Sequence, residues 1–111
     1  MKATLLSATA LLLTCAGAHA GSAYNVTITH IEAEPQGHFF FYVSSPISNS
    51  PSCAAQPATG FVVDGSTAGG RVVVSLVVEA YALGKTLSMG GSNACDVHSG
   101  YETIGDIYTT N

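Results

Sequence analysis

The stretch Arg71-Val72-Val73-Val74-Ser75-Leu76-Val77-Val78-Glu79-Ala80-Tyr81-Ala82-Leu83-Gly84-Lys85 decides the fold. Its β-branched Val72, Val73, Val74, Val77 and Val78 favour a strand by propensity alone. The ends argue the other way. Ser66 and Thr67 are good helix N-caps, and Gly84 followed by Lys85 reads as a helix stop in the left-handed manner. Val73, Leu76, Val77, Ala80 and Leu83 fall on one helical face, and the segment is longer than a typical strand. The reading is a helix over Arg71–Leu83 that buries Val73, Leu76, Val77 and Ala80.

Outward from this helix, every other apolar segment reads as a strand. Tyr24–Ala33 alternates Val26, Ile28 and His30 on one side with Thr27, Thr29 and Ile31 on the other, and ends at the Pro35-Gln36-Gly37 turn. His38–Ser45 carries the unbroken run Phe39-Phe40-Phe41-Tyr42-Val43, which predicts a strand covered on both faces, by the interior on one side and by the helix or a partner on the other. A Ser- and Pro-rich loop from Pro46 to Thr59 leads to Gly60–Asp64. Beyond the helix, Lys85–Gly91 and Glu102–Thr110 complete the set, with Gly105 expected as a bulge. The order β-β-β-α-β-β predicts an all-β fold with one helix, a small five-stranded barrel of the OB type in which the helix plugs the barrel between the third and fourth strands.

Residues 1–20 read as a secretory signal peptide. Lys2 supplies the positive end, Ala3 to Thr14 an uncharged, mostly apolar core, and Ala18-His19-Ala20 the small-x-small cleavage site. The apolar run is too short for a membrane span. A lipidated Cys15 is the alternative, disfavoured by the bulk of Thr14 before it. Cleavage leaves residues 21–111, enough for one domain whose core is marginal without a staple. With Cys15 gone, Cys53 and Cys95 are the one remaining pair, in a compartment where oxidation is allowed. The expected product is a secreted or periplasmic, disulfide-stapled domain.

Charge narrows the partners. Without Lys2 the domain has Arg71 and Lys85 against seven carboxylates. Nucleic acid needs a basic groove that two cations do not build, and anionic lipid surfaces are disfavoured for the same reason.

The chemistry-bearing residues form no motif. His30, His38 and His98 lack metal-ligand spacing and read as surface or structural histidines. Glu32 and Glu34 share one side of a strand but precede a turn, so solvent is their expected place. Ser75 and Ser88 have no histidine or acid near in sequence. Gly65 to Gly70 lacks the Gly-Lys-Ser ending of a phosphate loop and reads as a strand-to-helix connection. Asn25-Val26-Thr27 matches a glycosylation sequon but lies inside a strand. No cofactor, metal or catalytic residue is expected, and the chain reads as a non-catalytic protein.

The strand ending Phe-Phe-Phe-Tyr-Val, the loop cysteine, Phe61-Val62-Val63-Asp64, Gly70-Arg71, the run from Leu76 to Gly84-Lys85 and the closing Cys95 together resemble small secreted bacterial proteins similar to the pentamer-forming B subunit of subtilase cytotoxin. That resemblance implies an OB barrel that binds glycans and associates into a ring, and it carries over the helix end and the disulfide pattern. The expected function is a binding module, for a glycan as in toxin B subunits. Tyr24, Tyr42, Tyr81, Tyr101 and Tyr108 offer rings for stacking. The alternative is an envelope interaction subunit or an inhibitor of another secreted protein. The unbroken aromatic run also admits a homo-oligomer, through the outer face of the second strand or an adjacent strand edge, with a monomer as the alternative.

Overall fold

A computed structural model describes residues 20–110. The expected leader lies outside the described residues apart from Ala20, as does Cys15. The fold is mostly β with one helix: β1 (Ser22–Val26), β2 (Ile28–Ala33), β3 (His38–Val43), β4 (Gly60–Asp64), α1 (Ala68–Leu83), β5 (Leu87–Gly91) and β6 (Glu102–Thr109). Six strands form one mixed sheet in the order β1-β5-β6-β4-β3-β2. All neighbours are antiparallel except β4 and β6. The sheet is not closed by hydrogen bonds between its edges, yet the two edge strands, β1 and β2, are successive in the chain and separated by Thr27 alone.

The helix forms where its caps predict and begins three residues earlier than expected, at Ala68. Thr67 Oγ1 accepts the Gly70 N–H at 2.9 Å, and Gly84 ends the helix at φ 64° with its N–H on the Ala80 carbonyl. The cap contributes about 1 kcal/mol. Valine propensity loses because the helix docks through Gly70, Val77 and Ala80, and packing outweighs a few tenths of a kcal/mol per residue. Of the expected buried face, Val77 and Ala80 are buried, whereas Val73 and Leu76 are only half-buried. Leu83, the last helical residue before the Gly84 cap, is 61% exposed. Gly70 allows the closest approach: a Cβ there would stand 1.8 Å from the Asp64 carbonyl oxygen.

The first expected strand is two. Asn25 takes φ 51°, in the left-handed region, and the pairing register shifts between Ala23 and Val26 and again between Ile28 and His30. Each irregularity turns side chains to the opposite face. Ile31, not His30, therefore packs against the core, and His30 lies outside with its ring 5.3 Å from that of Tyr42. Gly105 is the bulged residue of β6, since Gly90 pairs with Asp106 and Gly91 with Ile104.

Phe39, Phe41 and Val43 of β3 and Phe61 and Val63 of β4 point into the core with Leu87, Met89 and Ile104. Period two sends Phe40 and Val62 to the other face, yet they are 3% and 0% exposed. Their cover comes from this chain and not from a partner or the helix. His98 and Tyr101 lie edge-on to Phe40, with ring centroids 5.0 and 4.9 Å away. The demand for an external cover, which motivated the expected oligomer, is thus met internally. The Cys53–Cys95 disulfide anchors this covering loop, as do the Ala54–Gly100 bridge and the Ala55 N–H donating to the Gly100 carbonyl at 2.9 Å. No helix among the described residues is long and apolar enough to cross a membrane.

Candidate functional site

The turn between β2 and β3 brings the polar residues together. The Gly37 N–H donates to the Glu34 carbonyl at 2.9 Å, and Gly37 sits at φ 100°, where glycine is favoured. The Gly65 N–H in turn donates to the Gly37 carbonyl at 2.7 Å, tying this turn to the loop that enters α1. Between them lies a cleft of about 400 Å³. Its lining combines the apolar Phe39 and Val74 and the glycines Gly37 and Gly65 with the polar Glu34, His38, Arg71 and Ser75. A Cβ at Gly65 would stand 3.0 Å from the Gly37 carbonyl oxygen, so a larger residue would narrow the cleft. Arg71 is held in place by its Nη2 donating to the Ser66 carbonyl at 2.9 Å.

Glu34 also lines another, smaller depression of about 80 Å³ with Glu32, Phe40, His98 and Tyr101. Its carboxylate lies 4.0 Å from His38 Nδ1 and 3.9 Å from His98 Nε2, and accepts the Gln36 amide. The His38 and His98 rings meet edge to face at 6.0 Å. His38 Nδ1 is buried without a hydrogen-bond partner. Beside them the Tyr42 and Tyr101 hydroxyls share a hydrogen bond of 2.8 Å. Burial, reinforced by that bond and by the negative charge of Glu32, pushes the Tyr42 phenol up to about 12. The rings and carboxylates suit recognition of hydroxyl-bearing ligands: carboxylates accept O–H donors, and ring faces pack against C–H surfaces.

Several expected positions move. Glu32 is exposed as expected, but Glu34 is half-buried between two histidines. His38 and His98, far apart in sequence, come together with Glu34 between them. Among the described residues no group of three or more His, Cys, Asp or Glu side chains is arranged to hold a metal. Of the five tyrosines, Tyr42 and Tyr101 come together, whereas Tyr24, Tyr81 and Tyr108 are exposed on β1, α1 and β6. Sequence reading missed Arg71 and Val74 as cleft residues. The signal for them was the pair Gly37 and Gly65, the glycines that let the turn and the helix entry approach each other.

No protein-family model matches the chain, and no curated protein is significantly similar to it.

Proposed function

We propose that this chain is a secreted or periplasmic, non-catalytic module that binds a glycan in the cleft between the β2–β3 turn and the start of α1, in the manner of toxin B subunits. The observation that carries the reading is the cleft itself: about 400 Å³, lined by the apolar Phe39 and Val74 together with Glu34, His38 and Arg71. That size and polarity match small-ligand sites. The strand pairing supports the architecture. With β1, Thr27 and β2 counted as one bent strand, the neighbours run first–second–third–fifth–fourth–first, the order of a five-stranded OB barrel, and such barrels bind oligosaccharides. The disulfide suits an oxidising compartment, in keeping with removal of residues 1–20 as a leader.

An array of glycans probed with the exported protein tests the function. Reproducible binding of one sugar class, lost in Glu34→Gln, supports it; a blank array rejects it. One observation favours the interaction-subunit reading instead: Val72, Val78, Tyr81 and Leu83 leave part of α1 apolar and exposed. A blank array beside a stoichiometric protein partner captured from the envelope, released by Val72→Glu or Leu83→Glu, favours that second reading.

A further inference from the structure

Glu102 is the one buried acid of the sheet, 1% exposed. Burying a carboxylate is costly unless it is paired and hydrogen-bonded. Among the described residues it makes no ion pair. Its partners are backbone donors: the Asn93 N–H at 2.9 Å to Oε2, and the Gly21 N–H shared between Oε1 and Oε2 at 3.1 Å each. The place is shaped around that contact. A Cβ at Gly21 would stand 2.3 Å from Oε1 and 2.7 Å from Ile47, and one at Gly91 would stand 2.1 Å from the carboxylate carbon. Asn93 takes φ 66° where it delivers its N–H. Gly21 is buried, whereas Ala20, one residue earlier, is exposed.

The cleavage expected after Ala18-His19-Ala20 would free this same nitrogen. We infer that the mature chain begins at Gly21 and that its new α-ammonium forms a buried ion pair with Glu102, so that removal of the leader completes the fold. The inference rests on the export reading above. A leader peptidase adds water across the Ala20–Gly21 amide and the C–N bond breaks. Ala20 leaves with the carboxylate, and the Gly21 amine takes up the released proton. One N–H shared between two oxygens becomes an ammonium with a separate donor for each. Charge-assisted bonds of this kind are about twice as strong as neutral ones, and an α-amine of ordinary pKa near 8 is protonated at neutral pH. The other acid nearby is Asp106 of β6, whose Oδ1 lies against Gly90 beside the Gly21 carbonyl. β5 brings no titratable side chain to the place.

The test begins with the intact mass of the exported protein, expected to start at Gly21. A mass that retains the leader rejects export, and one that starts at another residue rejects this site alone. The exported protein is then unfolded, acetylated at pH 6.5, where the α-amine reacts ahead of Lys85, and refolded, which restores a neutral amide at Gly21. Acetylation should raise the unfolding equilibrium constant roughly tenfold in the native sequence and leave it unchanged in Glu102→Gln. No change in the native sequence overturns the ion pair. If Glu102→Gln does not fold, pH decides. The pair raises the folded-state pKa of the ammonium, so its stabilisation is complete below the unfolded value and is lost as pH rises past about 8. The free-amine protein should therefore lose stability above that pH and the acetylated one should not. Parallel curves overturn the proposal.

Discussion

Two adjacent glycines of α1 should respond to alanine with opposite signs. Gly69 is exposed and a Cβ there would meet nothing within 4 Å. Gly69→Ala gains helix propensity and loses unfolded-state freedom, so it should stabilise by about 0.5–1 kcal/mol. Gly70→Ala gains the same amount. It also places a methyl group 1.8 Å from the Asp64 carbonyl oxygen and 2.8 Å from Thr67 Oγ1. Ordinary contact lies beyond 3 Å, so the start of the helix must lift by more than about 1 Å from β4. That strains the Thr67 cap, at about 1 kcal/mol, and adds overpacking of about 1–3 kcal/mol. The steric loss wins, with a net destabilisation of about 1–3.5 kcal/mol. Urea denaturation followed by far-UV circular dichroism measures both. In heat, a domain of this size moves about 4–8 °C per kcal/mol. A Gly70→Ala protein as stable as the parent, or a Gly69→Ala protein less stable by more than 1 kcal/mol, refutes the docking of α1 described here.

The Cys53–Cys95 bond spans 42 residues, worth about 4 kcal/mol in the chain-entropy account. Cys53→Ser should lower stability by about 2–5 kcal/mol and loosen the Tyr101 amide to hydrogen exchange, and a thiol assay on the unreduced, denatured protein comprising residues 21–111 should find no free thiol. Tyr42, held up to about 12 by burial and by Tyr101, should give phenolate absorbance a component near pH 12 that Tyr101→Phe shifts down without abolishing. Because that pKa is raised above its ordinary value of 10, the folded state keeps the proton longer, and stability should be intact below pH 10 and fall between about pH 10 and 12. Val77→Ala should destabilise by about 2–3 kcal/mol, since Val77 is wholly buried, and half-buried Leu76→Ala by less. Equal losses in thermal unfolding would contradict that difference.

What the sequence made legible was local. Thr67, Gly84 and Gly105 act within a few residues of themselves, and each does what its type predicts. Composition in the chain also made the disulfide readable, because only Cys53 and Cys95 follow residue 20. The misreadings involve an unannounced backbone irregularity or long-range geometry. Asn25 breaks the first strand through a left-handed backbone that Asn tolerates but does not announce, and the shift that follows exchanges the places of His30 and Ile31. The aromatic run of β3 correctly implies two covered faces, yet its outer cover, His98 and Tyr101, lies more than fifty residues away in a loop with no periodicity to read. The burial of Glu102 is invisible for a similar reason. Its partners are Gly21, just ahead of β1, and Asn93, and the sheet order brings them together. For the candidate site, Glu34 was noticed for its charge, but its place in a cleft depends on the approach of Gly37 to Gly65.

The measurement that bears most directly on glycan binding is a chemical-shift map of the isotopically labelled protein titrated with glycans from the array. Saturable shifts centred on Glu34, His38, Phe39, Gly65 and Arg71, weakened at least tenfold in affinity by Glu34→Gln, are the predicted result. Shifts centred instead on the exposed Tyr24 or Tyr108, or no saturable shift with any glycan, would contradict it.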